Sequence, residues 1–128
     1  MRDWRVISGT AGSVLAASAV ALGAFGAHAM RAQLDAGAMD LWHTAVEYLF
    51  WHAFGLILLG LVPAGPVNWR ITATLAFLAG IGLFCGSLFA MALGAPRGIG
   101  VLTPLGGGAF LLAWASLAVL FVRSPRSG

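Results

Sequence analysis

Four long apolar runs, at about residues 6–28, 41–62, 71–94 and 103–122, take up most of this chain. Each has about 19 to 24 residues, and at about 1.5 Å of rise per residue a helix of that length crosses a hydrocarbon core of roughly 30 Å. A lipid-facing segment must also satisfy its own backbone polar groups, which leaves the helix as the spanning form for such runs. The expectation is therefore an all-α polytopic membrane protein: one domain, residues 1–128, forming a bundle of four transmembrane helices with short loops.

Composition closes off the alternative. Of 128 residues, 60% are hydrophobic and 9% are charged, whereas a soluble domain of this size covers itself with about one quarter charged residues. The mean hydropathy of +0.94 points the same way. The isoelectric point near 10.6 does not imply nucleic acid, because seven arginines placed singly between apolar runs make no stripe that could follow a phosphate backbone. Cys85 is the single cysteine, so a disulfide framework or a cysteine-based zinc site within one chain is excluded.

The first run has a second reading. Arg2 and Arg5, the apolar stretch and Ala27-His28-Ala29 together resemble a cleavable signal peptide, but a signal core has about 7 to 15 residues and this run about 22. It is expected to stay as a span. Arg2, Arg5, Arg70, Arg123 and Arg126 then fall on one side of the membrane, and Arg31 and Arg97 on the other. The positive-inside rule places both termini in the cytoplasm and residues 29–40 and 95–102 outside. The location expected is the bacterial inner membrane.

Several helix ends can be read directly. Asp40 precedes the second run and is expected to cap it. Thr103-Pro104 is expected to open the fourth helix, with Thr103 as the cap and Pro104 where a missing N–H costs nothing. Pro63, Gly65 and Pro66 stop the second run. Small residues mark expected packing stripes: Gly82 and Gly86 form a GxxxG, Gly12 lies between Ser8 and Ala16 at the same spacing, and Gly106 and Gly107 sit at the start of the fourth run. Small side chains let backbones approach and gain dispersion contacts that lipid would otherwise supply.

The polar residues inside the spans carry the functional question. Glu47 is the one acidic residue within any run, about 9 to 10 Å below the outer edge when counted from Leu41, and a charge there costs about 2.5 to 3.5 kcal/mol on insertion scales. It is expected to face the bundle and bond to His43 on its own helix or to His28 from the first. His43, Glu47 and Trp51 share one face of the second helix, whereas His52 and Tyr48 lie about 140° away. Two polar edges on one helix call for neighbours on both sides. Such a cluster can be a hydrogen-bond clasp between helices, a proton relay, or part of a ligand site.

Other chemistries find less support. His43 and His52 lie on opposite faces and there is no HxxxH or HExxH, so no metal is expected. Ser13, Ser18 and Ser87 have no base near them in sequence. Gly106-Gly107-Gly108 lacks a lysine and a preceding strand, which excludes a phosphate loop. The four runs share no repeating motif of the kind that marks many transporters.

Taken together, Gly23-Ala24-Phe25-Gly26-Ala27-His28, Thr44-Ala45-Val46-Glu47-Tyr48 with His52, Gly86-Ser87-Leu88, and Thr103-Pro104-Leu105-Gly106-Gly107 resemble the small four-helix family of YgdD-type bacterial inner-membrane proteins, which also includes animal transmembrane protein 256. The resemblance covers roughly residues 6 to 122. It implies architecture and location but no reaction, and it marks His28, Glu47, Tyr48, His52, Thr103 and Trp114 as signature positions. Leu49 departs from it, since the family often carries Gln after its Tyr. The resemblance also suggests a shared polar pocket of His28, Glu47, Tyr48, Arg97 and Thr103 in the outer half of the membrane or at its outer edge; with His43 and His52 they make up the candidate polar cluster. The function expected is that of a structural, accessory or partner-binding membrane protein, not an enzyme and without a cofactor. Its partners would be the lipid bilayer and a homo-oligomer or another membrane protein, with no nucleic acid. The alternative is a small proton-linked transporter, or a lipid- or quinone-binding protein, using Glu47 and His28.

Overall fold

A computed structural model describes residues 2–126, with the side chain of Arg2 outside that description. Five α-helices follow in order: α1 Arg2–His28, α2 Ala36–Leu61, α3 Val67–Gly80, α4 Gly86–Ala92 and α5 Leu102–Arg123. A π-helical segment, Ile81–Cys85, joins α3 to α4 in one continuous rod. Four helical segments are therefore long and apolar enough to cross a membrane: Asp3–Ala32, Ala36–Leu61, Val67–Ala92 and Arg97–Arg123.

The helices pair before they assemble. α1 packs along α2, α5 packs along α3, and α2 lies against the α3–α4 rod to join the two pairs. The core between them holds Leu49, Leu56, Leu59, Phe77, Phe110, Leu117 and Leu120. A smaller cluster of Met30, Met39, Trp42 and Ala92 closes the end where α1 turns into α2.

Close backbone approach occurs at Gly12, Gly60 and Gly106. A Cβ at Gly12 would lie 2.7 Å from the carbonyl oxygen of Ala53 and 2.8 Å from Cγ1 of Ile57, and Gly60 meets Gly9 at similar range. Gly106 sits against the backbone of Phe84. By contrast Gly82, Gly86 and Gly107 have nothing within 4 Å of that position, so the packing expected of them is not made within the chain. The π segment explains part of this. One extra residue in the turn shifts the helical face, and Phe84 and Cys85 turn toward α5 and α2 while the two glycines turn outward.

Two expected caps are corrected. Asp35, not Asp40, caps α2, its carboxylate accepting from the backbone N–H of Ala38 at 2.8 Å. Helix continues through Ala36 to Asp40 because Met39 and Trp42 have an apolar floor to pack on. α5 begins at Leu102 out of a 3-10 turn, Arg97–Val101, and has no side-chain cap. Thr103 spends its hydroxyl on Ser87 instead, at 2.6 Å. Pro104, third in the helix, still falls within the first turn, where an N–H has no intrahelical acceptor.

The start of α1 and the end of α5 lie at one end of the molecule. Nε of Arg5 donates to Gly60 O at 3.1 Å, and the Ser124 hydroxyl reaches Ala64 O at 2.6 Å, so the start of α1 and the end of α5 both touch the connection between α2 and α3. Gly65 in that connection has φ of 133°, a conformation side chains rarely adopt.

Candidate functional site

The helix geometry of α2 places its two polar edges in opposite surroundings. Tyr48 and His52 look toward the α3–α4 rod and α5. His52 is buried, and its Nδ1 lies 2.6 Å from Tyr48 O. A carbonyl cannot donate, so Nδ1 carries the proton and a neutral ring would leave Nε2 as an acceptor. The imidazole stacks on Phe110 with ring centroids 3.4 Å apart, Tyr48 stacks on Phe84 at 4.4 Å, and Trp114 stands edge-on to Phe77 at 5.0 Å. Such ring pairs contribute about 0.5 to 1.5 kcal/mol each beyond their area burial. This aromatic cluster links α2, α3, the π segment and α5.

The other edge has no neighbour. His43 and Glu47 are exposed on the outer face of α2, together with Phe50, Trp51, Phe54 and Leu61. Among the described residues, no hydrogen bond joins Glu47 to His43 or to His28, which is itself exposed at the end of α1. The expected inward clasp is therefore corrected. α1 is drawn onto a different flank of α2 by Gly12 and Gly60, and His28 ends up beyond reach of Glu47.

The remaining expected site residues are dispersed as well. Arg97 lines a cleft of about 580 Å³ at the end opposite the termini, shared with Asp35, Leu41 and Met91. Thr103 pairs with Ser87, whose hydroxyl also lies 2.9 Å from Phe84 O, next to the π segment. His28, Glu47, Tyr48, Arg97 and Thr103 thus do not converge on one pocket. Among the described residues no three His, Cys, Asp or Glu side chains are grouped so as to hold a metal.

Sequence reasoning passed over two groups. Arg70 is completely buried, with Nη1 donating to Leu59 O at 2.7 Å and Nη2 to Val62 O at 2.8 Å. With Arg5 on Gly60 O, two guanidinium groups cover the last carbonyls of α2, where a helix lacks its own donors and its dipole favours positive charge. An arginine four residues after Pro66, immediately before the third run, was the available signal. The second group is Ser8 and Thr74, both buried, whose hydroxyls lie 2.8 Å apart between α1 and α3.

Comparison with known proteins agrees with the resemblance in the motifs. Residues 22–107 match the family described as Protein of unknown function (DUF423). The chain is 36% identical over 114 residues to UPF0382 membrane protein YwdK of Bacillus subtilis, covering 88% of this chain and 93% of that protein. It is 34% identical over 110 residues to UPF0382 inner membrane protein YgdD of Escherichia coli, covering 85% and 84%. A UPF0382 membrane protein of Haemophilus influenzae is 38% identical over 99 residues, covering 77% and 80%. No solved structure matches.

Proposed function

We propose that this chain, which belongs to the DUF423 family of proteins of unknown function and is, like its relatives, an integral membrane protein, works as a non-enzymatic accessory protein that holds a protein partner within the plane of the bilayer. The observation that carries this reading is the exposed pair of His43 and Glu47 on α2. Ionisable groups inside a membrane pair with one another or face a polar interior, and these two find neither among the helices of their own chain. A docked helix would supply the missing partner and cover the aromatic side chains beside them.

The proton-linked carrier or quinone-binding alternative has less support, because Glu47 and His28 do not meet. We place the protein in the bacterial inner membrane with both termini in the cytoplasm. The five-to-two distribution of arginines supports that orientation, and the similarity to an inner membrane protein of Escherichia coli supports the membrane.

A photoreactive amino acid at Trp51, activated in native membranes, tests the reading. Adducts with a polypeptide of defined mass are expected. Adducts with lipid alone would overturn it.

A further inference from the structure

The cleft that Arg97 lines lies between two walls built from different parts of the chain. Asp35, Ala38 and Leu41 come from the start of α2, and Met91, Ala95 and Arg97 from the end of α4 and the connection to α5. It stands at a membrane edge. The helical segments Ala36–Leu61 and Arg97–Arg123 begin there, and Val67–Ala92 ends there. α2 has 26 residues, about 39 Å at 1.5 Å per residue against a hydrocarbon core of roughly 30 Å, so its ends reach the headgroup layer.

Each wall carries one charge. The Asp35 carboxylate accepts the Ala38 N–H through Oδ1 at 2.8 Å, which fixes it at the start of α2 and leaves Oδ2 available. Among the described residues no ion pair joins Arg97 to Asp35, and the Arg97 guanidinium has no hydrogen-bond acceptor. The end as a whole is neutral: Arg31 and Arg97 are matched by Asp35 and Asp40, whereas the opposite end sets Arg5, Arg70, Arg123 and Arg126 against Asp3. A simple anion is drawn to the opposite end, and this cleft suits a group that carries both charges.

We propose that the cleft binds a phosphoethanolamine group, the headgroup of a phospholipid, with its phosphate on the Arg97 guanidinium and its ammonium on Asp35. The site is separate from the α2 face of His43 and Glu47 and does not depend on what docks there.

A guanidinium fork matches two phosphate oxygens, and a primary ammonium brings three N–H donors to a carboxylate. A quaternary ammonium brings none. No residue lining the cleft is aromatic, so the cage that recognises such a cation is missing. Leu41 and Met91, one turn or so inside their spans, give the glycerol and the first methylene groups an apolar surface. At about 580 Å³ the cleft falls within the range of small-molecule pockets, roughly 300 to 1,000 Å³.

Binding of three dioleoyl lipids to the delipidated full chain in detergent, read by native mass spectrometry and thermal melting, tests the site. Phosphatidylethanolamine is expected to bind about tenfold more tightly than phosphatidylglycerol, which lacks the ammonium, or phosphatidylcholine, which lacks its N–H donors. Arg97→Gln and Asp35→Asn should each weaken phosphatidylethanolamine binding about tenfold, the change that losing one charge-assisted hydrogen bond produces. Asn caps a helix as well as Asp does, so the lipid-free melting temperature of Asp35→Asn should stay unchanged while its binding falls. Asp40→Asn, outside the cleft, should bind normally. Glycerophosphoethanolamine, which has no acyl chains, separates the sources of the group. Weak competition supports the lipid, and competition equal to that of the lipid would overturn it in favour of a soluble zwitterion. Equal binding of the three lipids, or phosphatidylethanolamine binding insensitive to both cleft substitutions, would overturn the site itself.

Discussion

The guanidinium of Arg70, in the first turns of α3, reaches back to the carbonyl of Leu59 at 2.7 Å and so closes the end of the preceding helix. Its other nitrogen does the same for Val62. Helix α2 therefore ends on side chains from its two neighbours, Arg5 on one side and Arg70 on the other. Cation and helix terminus neutralise each other where water is scarce, and the connection at 62–66 gains a fixed geometry.

Arg70→Met keeps most of the side-chain volume and removes both donors. Hydrogen bonds to charged groups contribute about 1.5 to 3 kcal/mol each, so a loss on the order of 3 kcal/mol is expected in thermal unfolding in detergent. Arg70→Lys should recover part of it, because an ammonium group cannot span two carbonyls as a planar fork does. Unchanged melting of Arg70→Met would show that the cap contributes nothing.

Adjacent glycines at the start of α5 should respond in opposite ways. Gly106→Ala drives a methyl group into the backbone of Phe84 and should lower the melting temperature and the accumulated amount. Gly107→Ala meets open space and should be neutral, or more stable by up to about 1 kcal/mol through helix propensity. Equal responses would refute the packing described.

The Ser87 and Thr103 hydroxyls form one unit. Ser87→Ala and Thr103→Val should each cost about 1 kcal/mol by leaving a partner unpaired, and the double variant should cost clearly less than the sum. A double-mutant cycle read by thermal melting measures that coupling. Strict additivity would mean that the two hydroxyls do not interact.

Removing the ring of Phe110 takes away the platform under His52 and the neighbour of Phe84. Phe110→Ala is expected to destabilise by roughly 3 to 5 kcal/mol, the range for a buried aromatic truncation. A detergent melt indistinguishable from that of the unaltered protein would show the cluster to be incidental.

Reporter fusions check orientation. A reporter active only outside the cytoplasm should be active when fused at Arg31 or Arg97 and silent after Arg123. The reverse pattern would invert the topology.

Much of this architecture is local in origin and could be read from the chain. Runs of about 20 apolar residues become helices in a bilayer because nothing else satisfies the backbone there, and Pro63, Gly65 and Pro66 end α2 whatever surrounds them. The stacking face of Tyr48 and His52 and the opposite face of His43 and Glu47 follow from 3.6 residues per turn. Which of these faces would be covered did not follow. That depended on where Gly12 and Gly60 let α1 settle, and on a π turn that brings Phe84 toward Tyr48 and turns Gly82 and Gly86 outward. Asp35 and Asp40 are equally able to cap a helix, and only the packing of Met39 and Trp42 chose between them. Arg70 has a stem long enough to reach water or to fold back onto α2. The spans, their breaks and the faces of each helix are legible in the chain, because they depend on neighbours along it. Tertiary structure alone decided which polar groups found partners, because a hydrogen bond between helices depends on distances that no spacing within one helix sets.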